Sequence, residues 1–335
     1  MKAFELQNGF GFDALKLVER AEPRPGHRQI LVRVRAASLN YRDLMVVKGQ
    51  YDPRMSLPRV PLSDGAGEVV AVGENVTRVK IGDRVAGIFM QTWIGGEVTP
   101  AHSKSALGGA IDGMLAEYVV LSEEGVVHIP EHLSYEEAAT LPCAAVTAWN
   151  ALVTQGRLTA GETVLVQGTG GVSLFALQFA KTLGARVIAT SSSDEKLERA
   201  LALGASDGIN YRNVPEWDKR VRELTSGGVD HVVEVGGAGT LNKSLGAVRM
   251  GGTISMIGVL TGTGGEINTI SILMKSVRVQ GIYVGSRVMF EAMNRAIALH
   301  YLKPVVDRVF PFEQAIDALK YMESGAHFGK ICLSF

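Results

Sequence analysis

The chain has 335 residues, of which 46% are hydrophobic and 20% are charged, and its formal net charge at pH 7 is +0. This length suggests about two domains, and the composition is that of a soluble globular protein. The balanced charge, without a basic run or an acidic tail, argues against nucleic acid or an anionic membrane as a partner.

The start of the chain and the cysteine content bear on the compartment. Residues 1–6 have the pattern of a strand and not that of a signal peptide. No stretch reaches the roughly 18 apolar residues that suggest a membrane span. The two cysteines, Cys143 and Cys332, cannot form a disulfide framework and fit a reducing environment. We therefore expect a cytoplasmic protein.

The first third of the chain predicts short strands. Valines alternate with arginines between residues 30 and 35, glycines bound the apolar segment 67–73, and a segment of the same kind covers 79–87. Short strands at this spacing indicate a small barrel or sandwich. Residues 90–114 lack periodicity and predict a long loop, a kind of segment that is often functional.

From about residue 121 onward, predicted strands and helices alternate. Helices separate most of the strands, which are expected at 163–167, 186–190, 209–211, 229–235, 253–257 and 277–284. This alternation indicates an α/β fold with a parallel, doubly wound sheet. Helices at 290–302 and 313–324 and a strand at 330–335 then return to the first domain, which makes that domain discontinuous.

A glycine-rich turn follows the first buried strand of this series. Gly168, Gly170 and Gly171 allow a tight turn and a close approach of a pyrophosphate, and Ser173 replaces the third glycine of the dinucleotide fingerprint. From Val172 onward, the next helix offers N–H groups and the positive end of its dipole. Because strand, turn, helix and next strand occur in this order, we predict a dinucleotide site rather than a merely structural turn.

The end of the second strand indicates which dinucleotide binds. Where an acidic residue would hold the ribose hydroxyls of NAD, the chain has Ser191, Ser192 and Ser193, with Lys196 in the following helix and Tyr211 after the third strand. Hydroxyls, a helix N-terminus and an ammonium suit a 2′-phosphate, which favours NADP(H) over NAD(H). The alternative is a simple helix cap at Ser193 with a solvated Lys196.

Five segments along the chain resemble the medium-chain dehydrogenase/reductase superfamily, and most closely its zinc-free quinone oxidoreductase-like and alcohol dehydrogenase-like branch. They are Ala37–Asp43, Asp64–Gly73, Val79–Gly87, Leu141–Ala148 and Gly168–Ser173. The resemblance implies a GroES-like, β-rich catalytic domain at 1–122 and 285–335. It also implies a Rossmann cofactor-binding domain at 123–284 and an active site in the cleft.

The resemblance further implies that zinc is absent. Zinc-dependent members carry a catalytic cysteine where this chain has Asn40 and a His-Glu pair where it has Ser63 and Asp64, and only the third ligand position, Cys143, is still a cysteine. One thiolate cannot make a tetrahedral site. The loop 90–114 also lacks the four cysteines of a structural zinc site. We expect no metal, and we expect Cys143 to be a small buried apolar residue rather than a catalytic one.

Without a Lewis acid, hydride transfer suits acceptors that conjugation already activates. The resemblance therefore implies an NAD(P)H-dependent reductase of quinones or α,β-unsaturated carbonyl compounds, or a zinc-free enzyme that interconverts alcohol and carbonyl. One alternative is a non-catalytic NADPH-binding protein with a structural or sensor role. A zinc alcohol dehydrogenase is a further alternative, which the substituted ligand positions disfavour.

Two residues are candidates for the chemistry. Tyr51 matches a tyrosine that some related enoyl reductases use as proton donor, or else it is a tyrosine packed at the lip of the cleft. Asn40 hydrogen-bonds a substrate oxygen or the cofactor, or else it ties down its own turn. Asp43 is interpreted as structural. Phe89 and Trp93 lead into the long loop and belong either to the substrate space or to the core.

The same matching implies further cofactor contacts. The residues expected beside the nicotinamide or along the cofactor cleft are Thr147, Gly236, Gly237, Ile257, Gly258 and Val259. Lys330 matches a stretch that approaches the cofactor in relatives; the alternative is a helix stop followed by an edge strand. The apolar strand 277–284 lies at the predicted edge of the Rossmann sheet, where the family often dimerises, so we expect a homodimer.

Overall fold

The computed structural model describes all 335 residues, which form two compact units. One unit comprises Met1–Val146 and Gly285–Phe335, and the other comprises Thr147–Val284. The first unit extends past residue 122, and the strand Val126–His128 still pairs within its sheet. The division of labour between a catalytic and a cofactor domain stays a prediction.

The strands, in chain order, are β1 (Lys2–Leu6), β2 (Leu15–Glu19), β3 (Gln29–Ser38), β4 (Asp64–Val72), β5 (Arg84–Gly87), β6 (Tyr118–Ser122), β7 (Val126–His128), β8 (Thr163–Gln167), β9 (Arg186–Ser191), β10 (Asp207–Asn210), β11 (Val229–Glu234), β12 (Val248–Met256), β13 (Arg278–Gly281), β14 (Val306–Pro311) and β15 (Lys330–Ser334).

The helices are α1 (Tyr41–Val47), α2 (Pro100–Ser103), α3 (Tyr135–Ala139), α4 (Val146–Trp149), α5 (Gly171–Thr182), α6 (Asp194–Leu203), α7 (Trp217–Thr225), α8 (Ala238–Ala247), α9 (Thr269–Met274), α10 (Arg287–Leu299) and α11 (Ala315–Glu323). None of them combines the length and the apolar character needed to cross a membrane.

The first unit is built on a seven-stranded sheet. Its strand order is β14-β15-β3-β4-β5-β7, and β6 pairs with β3. Val32 and Val34 in β3 are buried while Arg33 between them is exposed, so the alternation in the sequence reflects a sheet with one face in the core. The carboxyl-terminal strand β15 pairs antiparallel with β3, which places both ends of the chain in this unit.

The second unit is a doubly wound sheet with the strand order β10-β9-β8-β11-β12-β13. All of its pairings are parallel. The winding reverses between β8 and β11, which is the switch point where open sheets of this kind bind ligands. The sheet is filled by apolar residues that no water reaches, such as Leu165, Ile188, Val232 and Ile254. The fold class predicted from the sequence is confirmed.

Several predicted elements differ in extent. Only β5 forms within 79–87, because Gly82 at φ +91° and the Asp83 carboxylate, which accepts the Lys80 N–H at 2.9 Å, make a turn ahead of it. The predicted strand 277–284 is shortened to β13, and β6, β7 and β14 were not predicted. In the predicted loop 90–114 the short helix α2 forms.

The aromatic residues that lead into this loop belong to the core. Phe89 and Trp93 keep only 1% and 3% of their surface, so neither lines an open space. The Trp93 indole donates to the Gly96 carbonyl oxygen at 3.1 Å, which satisfies its one polar atom inside the fold.

Candidate active site

A buried polar cluster lies in the first unit, where β3 ends and α1 begins. Asn40 precedes α1, and its N–H donates to the Asp43 carboxylate at 2.8 Å, which satisfies a main-chain donor at the helix start. The Asn40 side chain is engaged at both ends. Its oxygen accepts from the Lys330 ammonium at 2.6 Å, and its amide donates to the Ser63 hydroxyl at 3.3 Å. The sequence left two roles open for Asn40, a hydrogen bond to substrate or cofactor and a hydrogen bond within its own turn. In either role, its side chain is held in place by Lys330 and Ser63.

Lys330 begins β15 and keeps only 4% of its surface. Besides the bond to Asn40, its ammonium donates to the main-chain oxygen of Leu39. A buried ammonium needs such acceptors and a nearby negative charge, because removal from water costs several kcal/mol. The cofactor role expected for Lys330 stays a prediction; the two bonds that the structure gives it hold Asn40 and the end of β3.

The cluster continues from Ser63 to Asp64 and Cys143. The Ser63 hydroxyl donates to Asp64 at 2.8 Å, and the Cys143 N–H donates to the other oxygen of the same carboxylate at 3.0 Å. Lys330, Asn40, Ser63 and Asp64 thus form a hydrogen-bonded series that ends at the backbone of Cys143. Asn40, Ser63, Asp64 and Cys143 are the residues that the resemblance matches to zinc-ligand positions, and the Lys330 ammonium bonds to the first of them.

Burial shapes the titration of the two carboxyls in this cluster. Desolvation raises the pKa of Asp43 to about 6, although the neighbouring Arg42 guanidinium opposes the shift. Desolvation also raises the pKa of Asp64, against the stabilising charge of Lys330. Both carboxyls are fully buried. The site therefore holds two carboxyl groups whose charge depends on nearby cations.

Cys143 keeps some surface exposure, whereas the sequence predicted a small buried apolar residue. Desolvation and the charge of Asp64 raise the pKa of its thiol. No cluster of three or more His, Cys, Asp or Glu side chains in the chain is arranged to hold a metal ion. The donor atoms at this place do not fit a tetrahedral zinc site.

Tyr51 lies beside this cluster. The Arg42 guanidinium sits over its ring at 4.9 Å from the centroid and over the ring of Phe89 at 4.7 Å. Arg42 also donates to the main-chain oxygen of Leu107 at 2.9 Å, so the cation is anchored in the fold. Tyr51 itself is 40% exposed. A cation between two rings fixes the orientation of the outer ring while leaving that ring accessible.

The glycine-rich turn of the second unit fits a dinucleotide phosphate. Gly168 adopts φ +70°, and a Cβ atom at Gly168 or Gly170 would meet nothing within 4 Å, so the space in front of the turn is open. Gly170 caps α5 without a side chain. The first N–H groups of that helix, at Gly171 and Val172, have no side-chain cap, and a helix start of this kind suits an anionic group.

Most of the residues expected at the 2′-phosphate are neighbours in sequence, at the end of β9 and the start of α6. Tyr211 joins them because it follows β10, which pairs with β9. Ser191 ends β9 and is 3% exposed, and its main-chain oxygen accepts from the Tyr211 N–H at 3.0 Å. Ser193 is the N-cap of α6, since its hydroxyl accepts the N–H of Lys196 at 3.3 Å. The cap that was the structural alternative is therefore present, and the ligand roles expected for Ser192 and Lys196 stay predictions.

The remaining predicted cofactor residues lie after the next strands. The N–H groups of Ile257 and Gly258 both donate to the main-chain oxygen of Glu234, at 2.8 and 3.2 Å. Val259 is 37% exposed, whereas Thr147 is buried. The first two N–H groups of the turn at 257–259 are used inside the fold, so the cofactor role expected for this turn, which stays a prediction, would depend on other atoms.

Comparison with known proteins agrees with both units. Residues 26–131 match the family model of the alcohol dehydrogenase GroES-like domain, and residues 171–299 match that of the zinc-binding dehydrogenases. A zinc-type alcohol dehydrogenase-like protein of Schizosaccharomyces pombe is 47% identical over 333 residues, covering 96% of each chain. The chain belongs to the medium-chain dehydrogenase/reductase superfamily.

Other members of this superfamily extend the comparison. Human quinone oxidoreductase is 30% identical over 326 residues, covering 95% of this chain and 92% of its own. A crystal structure of an NAD-dependent alcohol dehydrogenase is 35% identical with a TM-score of 0.92, and the match covers 100% of both chains. A mycobacterial protein complexed with NADPH is 27% identical with a TM-score of 0.85, again over 100% of both chains.

Membership confirms the resemblance and the fold that the sequence predicted. It also confirms an enzyme: the chain is an NAD(P)-dependent oxidoreductase of the medium-chain type. The alternative of a non-catalytic binding protein is not supported.

Sequence reasoning missed three features of the site, namely the stacking of Arg42 on Tyr51, the ammonium of Lys330 inside the cluster, and Glu234. For Glu234 a signal was present, since a carboxylate follows two buried valines at the end of a strand. For the other two, the contacts depend on the tertiary fold alone.

Proposed function

We propose that the protein is a zinc-independent reductase of quinones or α,β-unsaturated carbonyl compounds that uses NADP(H) in preference to NAD(H). The observation that supports zinc independence is the Lys330 ammonium, which lies against Asn40 where zinc-dependent members carry a ligand. An ammonium and a divalent cation exclude each other from one place by charge repulsion and by size. A zinc-free enzyme that interconverts alcohol and carbonyl is the second candidate, because relatives bear that name.

The chain's own residues divide the work in this proposal. When bound, the nicotinamide cofactor supplies or accepts the hydride. Asn40, held by Lys330 and Ser63, presents a fixed polar edge that orients a substrate oxygen. Tyr51, held flat by Arg42, supplies the proton after hydride addition. Phosphate is held by the N–H groups of the open turn at Gly168.

The deciding experiment combines metal analysis with turnover. Purified protein is expected to contain no stoichiometric zinc and to oxidise NADPH with enones or quinones at the same rate before and after treatment with a chelator. Aldehydes and alcohols are assayed in parallel, and a rate on them alone would favour the second candidate. About one zinc per chain, with activity lost on chelation and restored by zinc, would contradict the proposal.

The proton-donor role of Tyr51 has its own test. General acid catalysis is worth roughly 10²–10⁴-fold, so Tyr51→Phe is expected to lower kcat on an enone by about that factor, with NADPH affinity unchanged. Quinone reduction is expected to change less, because its dianion takes protons from water. Tyr41→Phe, at a tyrosine that is 45% exposed in the same unit, is the matched control. Equal rates of wild type and Tyr51→Phe on both substrates would remove Tyr51 from the mechanism.

The preference for NADP(H) depends on Lys196. A charge-assisted contact with the 2′-phosphate is worth about 1–2 kcal/mol, so Lys196→Ala is expected to weaken NADPH by about tenfold and to leave NADH unchanged. Lys219→Ala, at an exposed lysine paired with Glu216, is the control. Equal affinities for NADPH and NADH that the variant does not alter would overturn this part of the proposal.

A homodimer through the second unit completes the proposal. Strand β13 pairs only with β12 and leaves the other edge of the sheet open. Nearby on α9, Ile270, Leu273 and Met274 are 64–71% exposed, an apolar surface suited to a second copy. Light scattering is expected to give a dimer, which Leu273→Lys weakens and Leu299→Lys, at an equally exposed leucine of the other unit, does not. A monomer for the wild type would refute it.

A further inference from the structure

Glu234, the last residue of β11, has no exposed surface, and all of its hydrogen-bond partners are neutral. One carboxylate oxygen accepts the N–H groups of Gly236 and Gly237 at 2.8 and 3.0 Å and the hydroxyl of Thr240 at 2.6 Å. The other accepts from the amide of Gln167 at 2.8 Å and from the hydroxyl of Ser244. A carboxylate that is buried without a cation is costly unless its hydrogen bonds are made. Here five donors from neutral groups supply them.

These contacts connect Glu234 to the glycine-rich turn. Gln167 ends β8 immediately before Gly168, and its side-chain oxygen accepts the N–H groups of Val235 and Gly236 at 3.3 and 3.4 Å. Its main-chain oxygen accepts the hydroxyl of Ser173, in the first turn of α5, at 2.6 Å. Through Gln167, the carboxylate fixes where the start of α5 lies relative to the end of β11.

The main chain of Glu234 holds a third turn. Its carbonyl oxygen accepts from Ile257 and Gly258, which follow β12. Close packing also fixes this place, since a Cβ atom at Gly258 would lie 2.2 Å from the Val235 oxygen. One residue therefore contacts the turns after β11 and β12 directly, and through Gln167 it contacts the turn after β8.

The positions of these strands assign the turns to one half of a dinucleotide. In a doubly wound sheet the ligand crosses the carboxyl ends of the strands at the switch point, here between β8 and β11. Ser191 and Tyr211, proposed for the adenosine phosphate, follow β9 and β10 on one side. The turns that Glu234 holds follow β11 and β12 on the other side, which corresponds to the nicotinamide riboside.

We infer that Glu234 is a positioning residue for the nicotinamide half of the cofactor, acting through the three turns rather than by touching the ligand. This inference rests on the proposed cofactor site. A carboxylate is required because both of its oxygens only accept, and every group that faces it donates. The amide of a glutamine at this position would direct a donor at another donor in either orientation.

The test compares whole and half cofactor. In Glu234→Gln, the affinity for NADPH is expected to fall by about 10- to 100-fold, because donors inside the fold lose their acceptor. The affinity for adenosine 2′,5′-bisphosphate, which contains only the adenosine half, is expected to stay within about twofold of wild type. Both dissociation constants are measured by calorimetry. Parallel losses for both ligands, or no loss for either, would overturn the inference.

A reversed pair gives a rescue that a loss of stability alone does not predict. In the double variant Gln167→Glu with Glu234→Gln, the bond between the two side chains runs in the opposite direction. The Ser244 hydroxyl can turn to match, while the N–H groups of Gly236 and Gly237 keep an oxygen acceptor. NADPH affinity is expected to return to within a few fold of wild type. A double variant as weak as Glu234→Gln would contradict the proposed hydrogen-bond network.

A milder variant covers the case in which Glu234→Gln does not fold. Thr240→Val removes one donor and leaves no buried group unpaired, so a loss of a few fold for NADPH alone is expected. Thr182→Val, which removes a hydroxyl bonded within α5, is the control. Equal NADPH affinity in both variants would count against Glu234. A wild type that binds neither NADPH nor NADH would instead refute the proposed cofactor site itself.

Discussion

The two units bury carboxylates in different ways. In the first unit, Asp43 and Asp64 are compensated by the cations of Arg42 and Lys330, and desolvation still raises the pKa of each carboxyl. In the second unit, Glu234 is surrounded by five neutral donors, two of which are main-chain N–H groups of the turn after β11. Charge compensation fixes side chains beside the proposed reaction site, whereas neutral donors fix the shape of the backbone. The comparison predicts that the first centre is sensitive to charge and pH and that the second is sensitive to hydrogen-bond direction.

The largest effect is expected where a cation is removed from the first centre. Lys330→Met leaves Asp64 buried without its counter-charge, which is expected to cost about 3–5 kcal/mol of unfolding free energy. Adding Asp64→Asn removes the unpaired charge and is expected to recover part of the loss. Lys303→Met, at an ammonium that is 55% exposed and paired with Glu137, should change stability by less than about 1 kcal/mol. Denaturant titrations measure the unfolding free energy of all three variants. A similar small loss in Lys330→Met and Lys303→Met would show that charge compensation by Lys330 does not stabilise the first unit.

The second prediction concerns pH. Burial raises the pKa of Asp43 from its ordinary value of 3.8 to about 6, so the folded protein holds a proton in this range that the unfolded chain releases. The contribution of this proton to the stability of the folded state is complete below about pH 3.8 and is lost as the pH rises through 6. Asp43→Asn lacks this titration, so between about pH 4 and 7 its stability is expected to improve relative to wild type, by up to about 3 kcal/mol.

Asp317→Asn is the matched control for that pH series, because Asp317 lies in the first turn of α11 with its side chain at the surface. Its stability relative to wild type should not depend on pH in the same range. If the difference in unfolding free energy between Asp43→Asn and wild type did not change with pH, Arg42 would compensate the charge of Asp43 fully. The first centre would then be as insensitive to pH as the second is expected to be.

The smallest effect is expected in the second centre. Ser244→Ala removes one of the five donors to Glu234 while Gln167 keeps its bond to the same oxygen, so the expected loss is about 1 kcal/mol. Ser103→Ala, at an exposed hydroxyl bonded to Pro100, should cost less. A loss in Ser244→Ala as large as that of Lys330→Met would mean that the neutral donors act as one unit and not as separate contacts.

Local signals in the sequence predicted most of the secondary structure. The sequence marks both ends of α6, because Ser193 caps its start and Gly204, at φ +112°, ends it. Strand β14 was missed, since Asp307 and Arg308 interrupt its apolar pattern and its pairing with β15 depends on the fold. The local hydrophobic pattern of a single short strand does not indicate which distant strand it pairs with.

The candidate site was predictable only in part, for the same physical reason. The glycine-rich turn is marked by consecutive residues, so the sequence alone predicts a dinucleotide site there, and this stays a prediction. The bond from Lys330 to Asn40 joins residues 290 positions apart, and that from Gln167 to Glu234 spans 67. Nothing near either residue in the sequence indicates its partner, so these contacts required the structure.

The ammonium of Lys330 also limits how this site can change during evolution. A cysteine at position 40 alone would place a thiol against a cation that no metal could join. Loss of Lys330 alone would leave the Asp64 charge unpaired in the core. Under the zinc-free proposal, each single step toward a metal centre is therefore expected to cost stability, although Cys143 is already present. We expect substitutions at 40, 64 and 330 to be epistatic, so that a metal centre could not be built here one residue at a time.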